Sequence, residues 1–452
     1  MKPIVAISTP PGIGAIALIR LSGEGVFSIA QKVILAKKPL TAYRPRTVHY
    51  AKFIDPETKE EIDDGLFWTL RAPNSYTGED MVELTCHGGR IVSKLVLEAF
   101  IKAGASLAEP GEFTKRAFLN GKLDLVRARG VLDIIEAKTR KGVHLARRKL
   151  DGLVSKKLER IEDRLLEILK NIEASINFAE DVDEIEIHQI KRELEEVLEE
   201  MDRFIEDGKA GRAYLFGAKV AIIGRPNVGK STLFNALLGK ERAIVTEIPG
   251  TTRDVISEEI ILDGLPVKLL DTAGLRETSD VVEKIGVEFA KKTAEEADLA
   301  ILVVDATQPD FDDEEQFLRD FDQPMIIVVN KIDLTDNKLP EIPDFMKKFV
   351  VIGVSAKDGT GVAELRQLLA DELHTIFNPE TGIILSDIEL SKALMLRIEI
   401  AEGLDRLNQG LPIDIVSDHL MRATAKLREM LGHGELSDEI LNRIFADFCI
   451  GK

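Results

Sequence analysis

The sequence predicts a multidomain protein of the α/β and α classes, with a P-loop nucleotide-binding domain inserted between two helical segments. Three observations predict this architecture. The segment 224–231 has the pattern G-x-x-x-x-G-K-[ST] between an apolar run and a helix-like segment, which is the setting of a phosphate loop. Apolar residues recur at helical spacing on both sides of that domain, whereas the first 118 residues alternate short β-like runs with turns.

Composition limits the class of protein. A chain of 452 residues is long enough for roughly two to four domains. A net charge of −18 argues against a surface that binds polyanions as a whole, although it allows a local basic patch. Cys86 and Cys449 are too few for a disulfide framework. No apolar run reaches membrane-spanning length, and residues 1–10 lack the regions of a signal peptide, so we expect a cytoplasmic protein without a membrane span.

The first 118 residues are predicted to form a compact α+β domain. Its β-like runs are separated by residues typical of turns, such as those at 10–12 and 72–74. Spacing alone assigns this domain no chemistry. The predicted strands are 4–8, 15–21, 47–53, 65–70 and 81–86, and the predicted helix is 91–103.

Two helical segments, from about 113 to 207 and from about 386 to 447, flank the P-loop domain. Neither is expected to bury its apolar face alone, so we expect them to pack together as one helical domain. Glycines at 208, 211 and 217 and the segment 378–382 mark the junctions. The predicted domains are therefore 1–118, 119–215, 216–379 and 380–452. In the first helical segment the apolar residues at helical spacing are Ile161, Leu165, Ile168, Ile172 and Ile176.

The segment 138–160 is basic, although the chain as a whole is acidic. It contains nine basic residues and two acidic ones, Asp151 and Glu159. It is either a contact for an RNA phosphate backbone or a solvated helix face. Basic residues at 422, 426 and 428 favour RNA. The nine residues are Lys138, Arg140, Lys141, Arg147, Arg148, Lys149, Lys156, Lys157 and Arg160.

The phosphate loop itself runs from Gly224 to Ser231. Its glycines let backbone N–H groups close around phosphates, and the following helix N-terminus favours negative charge. We expect Lys230 to reach the β- and γ-phosphates and the Ser231 hydroxyl to bind Mg²⁺.

Three further motifs follow, each at the end of an apolar run. Asp271-Thr272-Ala273-Gly274 places Asp271 towards Mg²⁺ and Gly274 near the γ-phosphate. Asn330-Lys331-Ile332-Asp333 and Ser355-Ala356-Lys357 resemble the base-reading motifs of the GTPase superfamily. A carboxylate at Asp333 accepts the two N–H groups of guanine and rejects adenine. Together the four motifs predict a GTPase.

The position that orients the attacking water is unusual. Leu275 stands where Ras-type GTPases have glutamine, so either hydrolysis is slow or another residue supplies the polar group, with Arg276, Glu277 and Glu283 as candidates. The segment 243–254 is the predicted first switch. Its threonines and Asn227 offer oxygen ligands to an alkali cation beside the phosphates, or they simply form turns.

Further segments, spread along the chain, resemble one family. They are Thr9-Pro10-Pro11-Gly12, Asn74-Ser75-Tyr76-Thr77-Gly78-Glu79-Asp80, His87-Gly88-Gly89, Pro110-Gly111-Glu112-Phe113, Ala117-Phe118-Leu119-Asn120-Gly121-Lys122-Leu123-Asp124 and Cys449-Ile450-Gly451-Lys452. With the GTPase motifs, they are similar to the tRNA-modification GTPases called MnmE or TrmE.

This resemblance implies an α+β folate-binding-like first domain that forms a homodimer, and a Ras-like GTPase domain inserted in the helical domain. It implies Mg²⁺ on Ser231, Thr252 and Asp271, and a water-orienting Glu283. Potassium-dependent hydrolysis, activated when two G domains dimerise, would use Asn227, Thr246, Ile248 and Thr251 for K⁺. The ligands of a reduced folate (5-formyltetrahydrofolate or a methylene-tetrahydrofolate) would be Arg20, Glu83, Lys122 and Lys452. The GTP-binding residues would be Asn227, Val228, Gly229, Lys230, Ser231, Thr232, Thr246, Glu247, Ile248, Pro249, Gly250, Thr251, Thr252, Asp271, Thr272, Ala273, Gly274, Asn330, Lys331, Asp333, Ser355, Ala356 and Lys357.

The resemblance also implies a reaction. With the FAD-containing flavoprotein MnmG (GidA), in a hetero-oligomer, the family adds an aminomethyl or carboxymethylaminomethyl group to C5 of the wobble uridine of certain tRNAs. Cys449 would be needed for modification and not for GTP hydrolysis, as a nucleophile, an acid/base group or a structural anchor; position alone leaves it a reactive thiol or a packed apolar residue.

Two other functions remain open. A regulatory or ribosome-assembly GTPase without covalent RNA chemistry could have the same G domain, but it would not require the folate-domain segments or Cys449. A folate-dependent aminomethyl carrier regulated by GTP would not need RNA, and the basic stretch 138–160 argues weakly against it.

Overall fold

The computed structural model describes residues 1–177, 184–239, 257–271, 292–308, 310–319, 321, 323–378, 382–434 and 437–452. The chain divides into two compact units. The first contains residues 1–132, 149–194 and 398–452, and the second contains residues 133–148 and 195–397. The predicted division into four domains at 118, 215 and 379 stays a prediction.

The first unit contains a seven-stranded sheet with the order β3-β4-β5-β6-β2-β1-β7. Its strands are antiparallel except for β1 and β7, which pair in parallel. The elements are β1 (Ile4–Ile7), β2 (Ile16–Ser22), α1 (Val26–Val33), β3 (Ile34–Leu35), β4 (His49–Ile54), β5 (Glu61–Leu70), β6 (Met81–His87), α2 (Arg90–Ala103) and β7 (Ser106–Leu107).

All five predicted strands and the predicted helix form, although β5 begins at Glu61, four residues before the predicted start. Helix α1 was not predicted; its buried residues Val26, Phe27, Ala30 and Val33 have helical spacing, but within only eight residues. Strands β3 and β7 were not predicted either, because each has two residues and therefore no readable period.

The two faces of this sheet have different environments because neighbouring residues of a strand point to opposite faces. One face buries Ile19, Phe67 and Leu84 in a core that also contains α1 and α2. On the same strands, Arg20 and Trp68 project from the other face and stay partly exposed. Arg20 and Trp68 thus lie on the face opposite to α1 and α2.

Helices complete the first unit. The apolar residues predicted at helical spacing are buried at positions 161, 165, 168 and 172, and helix α6 packs along α12. The side chain of Ile176 lies outside the described residues. The elements are α3 (Glu112–Leu119), α4 (Leu125–Glu136), α5 (Arg140–Leu150), α6 (Leu153–Asn177), α7 (Glu184–Phe216), α11 (Asp387–Asn408), α12 (Ile413–Leu431) and α13 (Asp438–Phe445), of which α4, α5, α7 and α11 continue into the second unit.

The second unit is built on a six-stranded sheet with the order β13-β12-β11-β8-β10-β9. All pairings are parallel except β9 with β10. Every residue of β11 and β12 is buried, as expected for parallel strands covered on both faces. The elements are β8 (Ala218–Ile223), α8 (Lys230–Leu238), β9 (Ser257–Leu262), β10 (Leu265–Asp271), β11 (Leu299–Asp305), α9 (Asp312–Arg319), β12 (Met325–Asn330), β13 (Val350–Val354) and α10 (Val362–Ile376).

The four apolar runs that preceded motifs in the sequence are strands β8, β10, β12 and β13. Because parallel strands share one carboxyl edge, the last residues of these four strands lie at the same edge of the sheet. Throughout the described ranges, no helix combines the length and hydropathy needed to cross a bilayer.

Candidate functional site

The phosphate loop connects β8 to α8 and takes a conformation that its sequence makes accessible. Gly224, Asn227 and Gly229 have φ values of 142°, 63° and 99°. Glycine and asparagine are the residues that adopt positive φ at least cost. A Cβ atom on Gly229 would lie 2.3 Å from Asn330 Nδ2, and one on Gly224 would lie 2.3 Å from the Val303 carbonyl oxygen. Both glycines are therefore required for the loop to sit against its neighbours.

Lys230 folds back over this loop. Its ammonium donates hydrogen bonds to the carbonyl oxygens of Gly224 at 2.9 Å and of Arg225 at 2.8 Å. Ser231 and Thr232 follow in the first turn of α8 and are exposed. An ammonium group and a helix N-terminus thus face the space enclosed by the loop, which is the arrangement that binds phosphate.

Asn330 joins three of the predicted motifs. This residue ends β12 and is 2% exposed. Its Nδ2 donates to the Val228 carbonyl oxygen at 2.8 Å, and its Oδ1 accepts from the Ala356 N–H at 3.0 Å. One amide side chain therefore fixes the phosphate loop and the Ser-Ala-Lys segment at a common edge. Lys331 adds a second tie by donating from Nζ to the Asn227 carbonyl oxygen at 2.7 Å.

The remaining base-reading residues lie at the same edge. Asp333 sits half-buried on a 3-10 turn, Ile332–Thr335. Ser355 is buried, and its oxygen accepts from the Asp358 N–H at 3.4 Å, whereas Lys357 is exposed. Of the Asp-x-x-Gly motif the structure describes only Asp271, which ends β10 and pairs with Ile222 of β8.

Several predicted residues lie outside the described ranges. These are Thr246, Glu247, Ile248, Pro249, Gly250, Thr251, Thr252, Thr272, Ala273, Gly274, Leu275, Arg276, Glu277 and Glu283.

Asp305 is a further residue of this site that was not predicted from the sequence. Asp305 ends the buried strand β11 and accepts from Lys331 Nζ at 2.6 Å and from the Thr307 N–H at 2.9 Å. Burial acts to raise the pKa of Asp305, but the hydrogen bonds from Lys331 and Thr307 outweigh it and hold the pKa below its usual value. The available signal was a polar residue at the end of an apolar run, the same signal that identified Asp271.

An ion pair that was not predicted from the sequence, between Arg225 and Glu314, also holds the phosphate loop. Arg225 donates from Nη2 to Glu314 Oε2 at 2.6 Å, and Glu314 lies buried in the first turn of α9. Burial raises the pKa of Glu314, against the effect of Arg225. No pattern in the sequence marks this pair, because 89 residues separate its members.

The first unit contains a different polar cluster, on the face of the seven-stranded sheet opposite to α1 and α2. Trp68, Glu83 and Arg20 lie opposite one another on β5, β6 and β2. Arg20 Nε donates to Glu83 Oε1 at 2.6 Å, and Trp68 Nε1 donates to Glu83 Oε2 at 2.7 Å. The Arg20 guanidinium lies 5.4 Å from the ring centre of Tyr76 and 5.6 Å from that of Phe113.

Residues 449–452 extend this cluster. The Gly451 carbonyl oxygen accepts from Arg20 Nη1 and from the Ser8 hydroxyl, both at 3.1 Å. Gly451 has a φ of 89°, and a Cβ there would lie 2.8 Å from the Ile7 carbonyl oxygen. Burial and the positive charge of Arg20 lower the pKa of Lys452, whereas Cys449 and Glu83 act in the opposite direction. Cys449 is exposed, which excludes the packed apolar role.

Of the four predicted folate ligands, the structure brings Arg20, Glu83 and Lys452 together. Lys122 lies beside the loop that carries Tyr76, where its Nζ donates to the Pro73 carbonyl oxygen at 3.0 Å. Trp68, Tyr76 and Phe113 are additional members of the cluster, and sequence reasoning assigned none of them a role.

The basic stretch 138–160 is only partly available to a partner. Lys138 forms an ion pair with Glu259, and Lys141 donates to the Tyr214 hydroxyl at 2.8 Å. Lys149 is 1% exposed. At least these three of the nine basic residues thus make contacts or pack within the protein, and the choice between an RNA contact and a solvated helix face stays open. The exposed members of the stretch are Lys138, Arg140, Lys141, Arg147, Lys156 and Arg160. An RNA contact would have to use the exposed members, such as Lys156.

The parallel sheet and the phosphate loop at its carboxyl edge define a P-loop nucleotide-binding protein. Two family models match the chain: "GTP-binding protein TrmE N-terminus" over residues 3–122 and "MnmE helical domain" over residues 125–449. The chain belongs to the MnmE family, and the resemblance inferred from its motifs is confirmed.

Curated relatives agree with this assignment over the full chain. The tRNA modification GTPase MnmE of Acetivibrio thermocellus is 40% identical over 456 residues, which cover 99% of each chain. That of Aquifex aeolicus is 41% identical over 458 residues, which cover 100% of each chain.

Part of the chain is similar to two solved structures. Aquifex aeolicus Era bound to GDP and aluminium fluoride has 33% identity and a TM-score of 0.28, covering 40% of this chain and 66% of Era. The FeoB G domain of Methanococcus jannaschii has 27% identity and a TM-score of 0.26, covering 34% of this chain and 97% of that domain.

Proposed function

We propose that the chain is a GTP-hydrolysing tRNA modification enzyme. Together with the flavoprotein MnmG, it would add an aminomethyl or carboxymethylaminomethyl group to C5 of the wobble uridine of certain tRNAs. The observation that carries this proposal is that one chain holds both a phosphate-loop site and the cluster of Arg20, Glu83 and Lys452, into which Gly451 and its neighbours fold. A switch GTPase requires only the first of these.

In the proposed GTP site, the roles follow from the contacts. Lys230 would exchange its hydrogen bonds to the loop carbonyls for hydrogen bonds to the β- and γ-phosphates. Its two neutral acceptors would thus be replaced by negatively charged ones. Asp333 would accept the two N–H groups of guanine, and Asn330 would keep the loop and the base-reading segment in register. Glu283 would orient the attacking water.

The chemistry of the donor set fits two cations. Ser231 lies in the first turn of α8 and Asp271 ends the neighbouring strand, so both offer hard oxygen atoms of the kind that Mg²⁺ prefers. Asn227 would contribute to a K⁺ site together with residues of the first switch. Such cations neutralise charge that develops between the β- and γ-phosphates. Replacing potassium by sodium should therefore slow hydrolysis, and G domains of a homodimer would meet across this edge.

The cluster in the first unit fits a reduced folate. Arg20 and the half-buried Lys452 offer cationic donors, Glu83 offers a carboxylate, and Tyr76 and Phe113 line the guanidinium with aromatic rings. A planar heterocycle with N–H donors and an acidic tail matches that mixture. The bound folate would supply the one-carbon unit, and FAD on MnmG would supply redox chemistry.

Cys449 is proposed to act in the modification reaction. It is exposed, and its carbonyl oxygen accepts from the Gly111 N–H at 3.4 Å and the Lys452 N–H at 3.2 Å, so the main chain around the thiol is anchored. An anchored backbone with a free side chain suits a residue that acts on a partner or substrate. The basic residues left exposed in 138–160 would contact the tRNA phosphates.

The test is mass spectrometry of wobble uridines from cells that lack this gene, complemented with wild type, Cys449→Ser or an empty vector. We expect only the wild type to restore the C5 modification, while wild type and Cys449→Ser hydrolyse GTP at equal rates. Modification in the empty-vector cells would refute the proposal in favour of a regulatory or ribosome-assembly GTPase.

A further inference from the structure

We propose that Trp68 is a positioning residue of the reduced-folate site: its indole N–H fixes the Glu83 carboxylate so that the remaining lone pairs face the N–H edge of the pterin ring. The inference rests on the proposed folate site and adds a residue to it.

The sheet places the three side chains in one row. Glu83 of β6 pairs with Trp68 of β5 on one side and with Arg20 of β2 on the other. Residues directly opposite in neighbouring strands share a face, and their side chains lie within contact distance. The row therefore depends on strand register, because a one-residue shift of any of these strands would turn its member of the row to the face covered by α1 and α2.

Each oxygen of Glu83 has its own donor. Arg20 holds Oε1 at 2.6 Å, and Trp68 holds Oε2 at 2.7 Å. A carboxylate has about four lone-pair sites, so about two remain after these bonds. With one donor on each oxygen, the carboxylate can no longer rotate about its Cγ–Cδ bond without losing a bond in a largely buried setting.

The two donors to Glu83 differ in charge, because Arg20 is cationic and the indole of Trp68 is neutral. This combination favours a ligand whose hydrogen-bonding edge is uncharged. Arg20 neutralises the charge of Glu83, and its own position is fixed by Gly451 and by the Tyr76 and Phe113 rings. The indole is uncharged and can only donate, so it orients the carboxylate without adding charge. Two parallel lone pairs of a fixed carboxylate match adjacent ring N–H and amino N–H groups, which is the edge that a pterin presents.

The chain offers a clean optical probe for this role, because Trp68 is its only tryptophan. We would titrate the full chain with 5-formyltetrahydrofolate and follow tryptophan emission, with isothermal titration calorimetry as a second measure of affinity. Binding beside an indole that donates to Glu83 should change emission at the same ligand concentration that calorimetry reports.

Trp68→Phe keeps an aromatic ring and removes the N–H. We expect the Kd for the folate to rise about tenfold, as expected for one hydrogen bond to a charged group. In a Glu83→Gln background the same substitution should change Kd less than twofold, because the carboxylate that it positions is gone. The matched control is Tyr50→Phe, which removes a polar hydrogen from a ring 63% exposed on a neighbouring strand; it should leave Kd unchanged.

The outcomes separate the two proposals. Equal losses from Trp68→Phe in both backgrounds, or no loss in either while the wild type binds, would overturn the positioning role alone. A wild type that shows no binding by either method would overturn the folate site, and the positioning role with it. Thermal unfolding of each variant checks that the affinity changes come from folded protein.

Discussion

The two candidate sites are built in opposite ways. The phosphate-loop site lies where strands end, and its contacts use the main chain, since Lys230, Asn330 and Lys331 all donate to loop carbonyl oxygens. The folate cluster lies in the middle of strands, and its central contacts join side chains, with Glu83 between Arg20 and Trp68.

This difference explains how each site responds to change. A site made of main-chain groups depends on backbone conformation, and so on glycines and a few fixed lysines. A site made of side chains on a sheet face depends on strand register and on individual hydrogen bonds. Four substitutions test this contrast.

Lys230→Ala should have the largest effect. We expect GTP hydrolysis to fall about 100- to 1,000-fold, because the reaction depends on fixed positive charge at the phosphates. Binding of 5-formyltetrahydrofolate should not change. The measurements are single-turnover hydrolysis and calorimetry with the folate, with Lys347→Ala as the surface control, since Lys347 is paired with the exposed Asp344. A parallel loss of folate affinity would show that the two sites are coupled.

Asp333→Asn should exchange base preference. An asparagine amide offers a donor where guanine also has one, so affinity should shift from GTP towards xanthosine triphosphate by about 100-fold. Competition of each triphosphate against a fluorescent GDP analogue measures the shift. If the variant binds GTP as tightly as the wild type, Asp333 does not read the base.

Gly451→Ala tests the folate cluster through its backbone. Alanine at a φ of 89° is strained, and its Cβ would lie 2.8 Å from the Ile7 carbonyl oxygen and from Ser8 Cα. Displacing this segment removes the acceptor of Arg20, so we expect about a tenfold loss of folate affinity with unchanged hydrolysis.

The control for this variant is Gly410→Ala. Gly410 has a φ of 69°, and a Cβ there would have no neighbouring atom within 4 Å. An equal loss in both variants would trace the effect to backbone strain in general rather than to the contact with Arg20.

Asp305→Asn should have the smallest effect, about a fivefold rise in the Kd for GDP, because Lys331 loses a charged partner and keeps its bond to the loop. The pKa of Asp305 is below its usual value, so its contribution to stability is complete above the ordinary carboxyl pKa and is lost as pH falls through the lowered pKa. The gap in melting temperature between wild type and variant should therefore close as pH is lowered from about 7 towards about 3. A gap independent of pH would mean that charge at Asp305 is irrelevant.

The phosphate-loop site could be predicted from the sequence because its residues are contiguous. Gly224 to Ser231 specifies a loop, and each further motif follows an apolar run that became a parallel strand. Asp305 carried the same signal and was missed, because it belongs to none of the motifs that identify a GTPase. The resemblance to the family supplied Arg20, Glu83 and Lys452 as predicted folate ligands.

The additional members of the folate cluster could not be predicted, because their contacts depend on long-range pairing. Nothing in the sequence places Trp68 opposite Glu83 until the register of β5 and β6 is known. In the charge run 138–160 the residues are visible in the sequence, but their burial and their ion pairs are not. Counting charges cannot show that Lys149 is buried or that Lys138 pairs with Glu259, 121 residues away.

The hydrogen bond between Arg20 and Gly451 can form only late in biosynthesis. The two residues are separated by 431 positions, so Gly451 is synthesised roughly 20 to 90 s after Arg20 at about 5–20 residues per second. The seven-stranded sheet can fold early, since all its strands come from the first 107 residues. The donor groups of Arg20 and Ser8 then remain hydrated until the segment 449–452 has been synthesised. A chain that ended before residue 449 could have a formed sheet but would lack the acceptor that Arg20 and Ser8 share in the folded protein.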